Sequence, residues 1–328
     1  MTARANAQSF PLKPYLKPWY RLARDGDRSI FQYGDTLVVF EGKAVQLFLP
    51  VLLPLLDGTR TLGEIEAYLG EAVTPATRKA LSLLHEYGLL MDGPPPAADT
   101  PLIMQQTLYF LAAQGRSTSI VERSDALQRA SAAVLGSSAV TDEVARLLSR
   151  CGMNGVELLS WETQKQALLE FDLVLAIPSG KELSYLSSWN RLALDAGTPW
   201  LHLLPFDGKF AAVGPLYVPK ETCCYECFQM RRAANVGYAQ EFRALQNTPA
   251  PYPSMPPLDA MLAGLAAIVA IRWLVDRDPF LPGRFYALEL GLEIRFSLHT
   301  VHRVPRCAAC SDQHRLGSPL PWHERAIG

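Results

Sequence analysis

An excess of charge of either sign is missing from this chain. Its 328 residues carry 31 Lys and Arg against 32 Asp and Glu, a formal net charge of −1, with no long block of like charge. A general polyanion-binding role therefore has no electrostatic support. Long apolar runs are missing too. The most apolar stretch, residues 260–275, is about 16 residues long and holds Arg272. That is short for a membrane span and suits a buried helix. Residues 1–9 are polar and lack the apolar segment of a secretory signal. The expected home is cytoplasmic. Charged residues make up 19% and hydrophobic residues 49%, the balance of a folded globular chain long enough for two or three domains. Cysteine is scarce, at six residues.

Four of those six fall in two pairs of matched spacing, Cys224-Tyr-Glu-Cys227 and Cys307-Ala-Ala-Cys310. Each pair can present two thiolates from one tight turn, and two such turns complete a tetrahedral four-cysteine zinc site of the structural kind. Such a site leaves no open position for chemistry. Two unrelated cysteine turns, or a disulfide pair in an oxidising compartment, are the competing readings; a cytoplasmic home favours thiolates. Cys223 stands next to Cys224 as an alternative ligand. Cys151, far off in a helical pattern, reads as a core thiol.

Residues 92–101 are rich in proline and small residues, which predicts a linker over 92–106. Residues 1–91 form one unit before it. The runs 29–33 and 36–40, joined by Gly34-Asp35, predict a hairpin, and residues 19–22 a third strand. Helical patterns follow over 44–55, interrupted by Pro50 and Pro54, then 61–69 and 74–87. Thr61 and Thr74 are placed to cap the last two, with Glu64 and Pro75 in their first turns. Strands followed by three helices resemble a winged-helix unit. The third helix offers only Arg78 and Lys79 as cations, too few for DNA recognition. Peptide capture is the other use of such a unit. An extended peptide can join an exposed edge as an added strand. The edge Thr36, Leu37, Val38, Val39 and Phe40, lying against the helix that carries Arg78 and Lys79, is the expected cleft.

Residues 107–328 form the second region. Strand patterns at 132–135, 155–159, 172–177 and 199–204 alternate with helical patterns at 141–151, 163–169 and 183–196. This alternation predicts parallel βαβ units and an open α/β sheet. A nucleotide site would follow the first strand, where a Gly-rich turn meets a helix N-terminus. The turn here, residues 136–142, keeps one glycine, Gly136, and puts Asp142 near the helix start. The second strand is followed by Ser160-Trp161-Glu162 rather than a plain acidic residue for a ribose. Lys181 is the nearest candidate lysine for phosphates. Beyond the first cysteine pair come a helical pattern at 230–241, a proline-rich crossover at 246–257, strands at 284–290 and 292–298, and a polar tail after residue 310.

A nucleotide-type sheet followed by Cys-x-x-Cys, a long helix, strands and a second Cys-x-x-Cys resembles the E1-like, ThiF-type proteins. The run 214–219 leading to Cys223-Cys-Tyr-Glu-Cys227 is similar to that family's approach to its first zinc pair. The N-terminal unit resembles the PqqD-like peptide-recognition element of ribosomal peptide pathways. Together they resemble the leader-peptide-binding, ThiF-like partner proteins of azole-forming pathways. This resemblance implies a winged-helix-like domain followed by a degenerate E1-like, Rossmann-type α/β domain with structural zinc. It also implies a non-catalytic role: binding the leader of a precursor peptide and delivering it to a YcaO-type cyclodehydratase, with the α/β domain docking that enzyme or a second copy of itself. The alternative is an ATP-dependent, E1-like adenylating enzyme acting on a peptide or carrier C-terminus.

Overall fold

The computed structural model describes residues 10–114, 119–166, 170–245, 248–305 and 307–311. The chain divides into two units, Met1–Ala126 and Leu127–Gly328, each with its own core.

In the first unit, β1 (Pro14–Leu16) pairs antiparallel with β5 (Leu90–Asp92). Strands β2 (Arg21–Asp25), β3 (Arg28–Tyr33) and β4 (Thr36–Glu41) form an antiparallel sheet in that order. Gly34 turns the β3–β4 hairpin at φ 59°, with Tyr33 facing Thr36. The 44–55 pattern resolves into α1 (Lys43–Leu47), α2 (Leu49–Leu52) and a 3-10 turn over Leu53–Leu55. The ring of Pro50 sits in the first turn of α2, where its missing N–H costs nothing. Helix α3 (Leu62–Leu69) starts on the Thr61–Glu64 capping box. Helix α4 (Thr74–Glu86) begins one residue earlier than expected. Val73 is its cap, no side chain caps it, and Thr74 is already helical. Thr77, Leu81 and Leu84 form its buried stripe, and Leu81 and Leu84 share a core with Phe31, Leu52 and Ile65.

The proline-rich stretch is pinned where it leaves β5. The Gly93 N–H donates to the Lys13 carbonyl at 2.9 Å, and a Cβ on Gly93 would lie 2.2 Å from the Gly58 carbonyl oxygen. Two helices that the sequence pattern leaves unmarked follow, α5 (Leu102–Gln114) and α6 (Ile120–Arg129).

The second unit is built on a seven-stranded sheet. Strands β6 (Ser131–Leu135), β7 (Gly155–Leu159), β8 (Leu173–Ala176) and β9 (Trp200–Leu204) run parallel; β10 (Phe210–Tyr217), β11 (Arg284–Leu290) and β12 (Ile294–Thr300) extend it antiparallel. The spatial order is β12-β11-β10-β9-β8-β6-β7. Strands β8 and β9 are buried along their whole length, as central parallel strands covered on both faces must be. Helices α7 (Ala139–Arg150), α8 (Tyr185–Ala196), α9 (Tyr225–Ala234), α10 (Ala239–Leu245) and α11 (Pro256–Asp276) complete the unit. The 230–241 pattern thus belongs to two helices separated at Asn235, the α9 C-cap. Only a 3-10 turn, Gln164–Gln166, occupies the described part of the 163–169 pattern; residues 167–169 and the tail beyond 311 lie outside the described residues. Helix α11 is the one described helix long and apolar enough to cross a membrane, and 56% of its most apolar window is buried. It lies against α7 and across β8 to β10.

Candidate functional site

The chain runs from β6 to β7 on one side of β6, then crosses to β8 on the other. That reversal is a topological switch point, and the crevice at the C-terminal ends of the strands there is where open α/β sheets bind ligands. A cavity of about 650 Å³ occupies that place. Its walls are the turns after β6 (Ser137 to Val140), after β8 (Ile177 to Lys181) and after β9 (Pro205, Phe206), with the crossover segment 249–254 and the start of α11 facing them. The volume suits a small-molecule ligand.

Close backbone approach fixes two glycines at this cavity. Gly136 has φ 152°, and a Cβ there would stand 2.3 Å from the Ile177 carbonyl oxygen. On Gly180 a Cβ would stand 1.8 Å from the Ala250 carbonyl oxygen. The first glycine lets the β6 and β8 turns close on each other; the second lets the crossover lie on the β8 turn. Helix α7 opens with a Ser138–Thr141 capping box, and Asp142 stands in its first turn. Lys181 lines the cavity as its one cation among the described residues, and Asp259 as its one carboxylate. Trp161, after β7, is buried and stacks on Tyr185 at 5.7 Å; Glu162 beside it is exposed.

The cysteine pairs meet as their spacing requires. Cys224 is the N-cap of α9 and Cys227 lies in its first turn. Cys307 and Cys310 stand on a turn closed by the Cys307 carbonyl, which accepts from the Ser311 N–H at 3.0 Å. The sulfurs approach at 3.8 Å (Cys224–Cys227), 3.6 Å (Cys224–Cys307) and 3.4 Å (Cys227–Cys310), and all four lie within 4.8 Å of one another. Four thiolates about 2.3 Å from one tetrahedral ion would stand roughly 3.8 Å apart, so the donor set fits a metal. The Val304 N–H donates to the Cys227 sulfur at 3.3 Å. Contacts with the Cys224 and Cys310 sulfurs, aided by that N–H, hold Cys227 far below the usual thiol range. Arg303 ties the second turn down through the carbonyls of Lys220, at 3.0 Å, and Cys310. Cys223 is outside the cluster; burial, with Cys227 and Cys310 nearby, pushes its thiol up to about 12. Cys151 is the half-buried C-cap of α7.

His202, on β9, is fully buried among the rings of Trp200, Tyr217, Tyr225 and Phe228. Neither ring nitrogen has a hydrogen-bond partner among the described residues. Burial, helped by the Arg232 charge, lowers it to about 3.

In the first unit, Thr36, Leu37, Val38, Val39 and Phe40 lie on β4, an edge of its sheet. Val38 is buried, whereas Leu37 and Val39 are exposed. Phe40 meets Phe31 and Tyr87 edge-on at 5.9 and 5.5 Å. Arg78 is engaged: its guanidinium holds Glu66 of α3 through bonds of 2.6 and 3.0 Å. Lys79, on the same helix, is exposed.

No family model matches the chain, and no curated protein matches it. Solved structures do. The heterocyclase TruD is similar over 94% of this chain at 21% identity and a TM-score of 0.70. Escherichia coli MccB with AMPCPP and selenomethionine MccA is similar over 91% at 15% identity and a TM-score of 0.65, and MccB with ATP over 90% at 16% and 0.63. The chain spans 45% of the heterocyclase and 99% of MccB. These likenesses correct the expectation of a non-catalytic leader-binding partner of a cyclodehydratase. The same fold carries a heterocyclase and a protein solved with ATP, so the worn glycine loop is no ground for excluding catalysis. At these identities the likeness speaks to architecture: the chain has the α/β fold of the ThiF/E1 type, with a four-cysteine cluster able to hold a metal ion.

Proposed function

We propose that the chain is an ATP-dependent, E1-like adenylating enzyme, or the adenylating portion of one, acting on the C-terminal carboxylate of a peptide or carrier. The observation that carries this reading is the cavity at the switch point, in a fold whose solved likenesses include MccB with ATP and with AMPCPP and MccA. The position suits a nucleotide. Lys181 would offset phosphate charge there, and the crossover segment around Tyr252 would exclude water from the activated carboxyl. In the reaction a carboxylate oxygen bonds to the α-phosphorus of ATP, the bond to the β-phosphate oxygen breaks, and pyrophosphate leaves.

The first unit would capture the substrate peptide. We read it as winged-helix-like, with an extended peptide added to β4 and its alternate side chains meeting Leu37 and Val39. Lys79 would meet an acidic residue of that peptide. Arg78 is less available, because Glu66 already holds it. The cysteine cluster would hold zinc as a closed structural ion, since four soft thiolates at tetrahedral separations suit it.

The test is pyrophosphate exchange into ATP by the zinc-loaded protein with candidate peptides. Peptide-dependent exchange is the expected result. Loss of one water per modified residue, without exchange, would point instead to heterocyclase-type chemistry of the kind named for TruD. Absence of both would overturn the reading.

A further inference from the structure

The turns after β6 and β8 are tied together by one acidic side chain. Glu182 accepts the Ser137 hydroxyl on one carboxylate oxygen at 2.6 Å and the Ser179 N–H on the other at 2.8 Å. Ser137 and Ser179 line the cavity; Glu182 stands outside its lining. Burial works against the Glu182 charge, yet the bonds from Ser137 and Ser179 hold its carboxyl below the usual range. It is therefore an anion at neutral pH.

Donors at the first turns of such a sheet are the groups that phosphate oxygens use. Here two of them are already spent on a carboxylate of the chain itself. The α7 N-terminus is closed in the same manner by its own capping box. We propose that Glu182 is an internal counter-ligand that sets the nucleotide affinity and selectivity of the cavity. It competes with phosphate oxygens for Ser137 and Ser179, and its charge opposes theirs. The opposition grows with the net charge of the phosphates, so the magnesium-free triphosphate is penalised more than the monophosphate, and magnesium relieves the penalty. Loading with ATP then requires Glu182 to give up its two donors, and the product nucleotide is released with little cost.

This inference rests on the cavity being the nucleotide site. Its test is isothermal titration of the full chain with magnesium-free ATP, which carries more negative charge than AMP, and separately with AMP, for wild type, E182Q and E182D. Glutamine keeps the size and an acceptor for Ser179 but removes the charge; aspartate keeps the charge. The E182Q chain should bind ATP about tenfold tighter, the effect of one nearby charge in a partly solvated site, with a smaller gain for AMP. E182D should show no gain. Thermal unfolding of each variant confirms that the fold is kept. Should E182Q misfold, the charge dependence is read on wild type alone, as an ATP affinity that rises relative to that for AMP at high salt. Wild type that binds ATP while E182Q matches it overturns the inference and leaves the nucleotide reading standing. An equal gain for both nucleotides overturns the charge argument. No ATP binding by any variant overturns both.

Discussion

At the residue scale, His202 shows how a polar group can be core. A histidine between Trp200 and the buried end of β9 could equally have been a surface group, and sequence offers no signal that separates the two. The structure places it in an aromatic cage, with its neutral form enforced by burial. The sign of the consequence is set by which state takes the proton. The unfolded chain binds one near pH 6.5, whereas the folded chain does not until about 3. Between those values the unfolded state holds more protons, so stability is lost as pH falls. The loss approaches about 1.4 kcal/mol per pH unit below 6.5. A His202→Phe chain should lack this part of the slope. Urea unfolding at pH 5 and pH 7 measures it: the stability gap between wild type and variant should change by roughly 1–2 kcal/mol. A gap that does not move with pH would sink this account. The cysteine protons are common to both chains and cancel.

At the element scale, the edge of β4 carries the peptide proposal. Along an edge strand successive N–H groups alternate between the ladder and the open side. One of Val38 and Val39 therefore offers its donor to an added strand, while the other bonds to β3. Proline at the first position should weaken peptide binding tenfold or so with the fold intact, since one hydrogen bond and some edge geometry are lost. Proline at the second should unfold the hairpin. Fluorescence anisotropy with a labelled peptide, beside circular dichroism, reads both. Two folded proline variants of unchanged affinity would remove β4 from the site.

This same scale shows what the sequence could tell. The strands expected at 172–177 and 199–204 form within one residue of those bounds, as Leu173–Ala176 and Trp200–Leu204, because burial on a sheet leaves a direct mark on composition. Strand β10 was not legible. Gly214-Pro215 in its middle reads as a breaker. In the fold the strand shifts register between Val213 and Leu216, and a Cβ on Gly214 would lie 2.5 Å from the Arg284 carbonyl oxygen. The glycine is there for close strand approach, which no local pattern reveals. The cavity was half legible. Gly136 and Lys181 were marked by their positions after strands, but Glu182 and the crossover act through contacts between segments distant in sequence.

At the scale of the whole molecule, the cysteine cluster is the feature read most fully from spacing alone. Cys224 and Cys307 are 83 residues apart, and so are Cys227 and Cys310. Closing a loop of that length removes about 4.5 kcal/mol of freedom from the unfolded chain, by the cross-link relation. One zinc per chain is expected by elemental analysis, and stripping it with a chelator should lower the melting temperature by roughly 10 °C. A Cys227→Ser chain should lose the ion and melt near the stripped value. Equal melting of loaded and stripped protein would deny the cluster a structural role.

That closure has a kinetic side. Strands β10 and β11 pair Ala212 with Ala287, contacts that the open chain must find across a long and costly search. When Cys224 and Cys307 are held on one ion, the path between those strands runs through the clasp and is far shorter. The unfolded chain is then a closed ring rather than a line, and the slowest pairing of the sheet becomes a local one. Refolding followed in a stopped-flow instrument should therefore be faster with zinc retained than after its removal, with the difference lying in the folding limb.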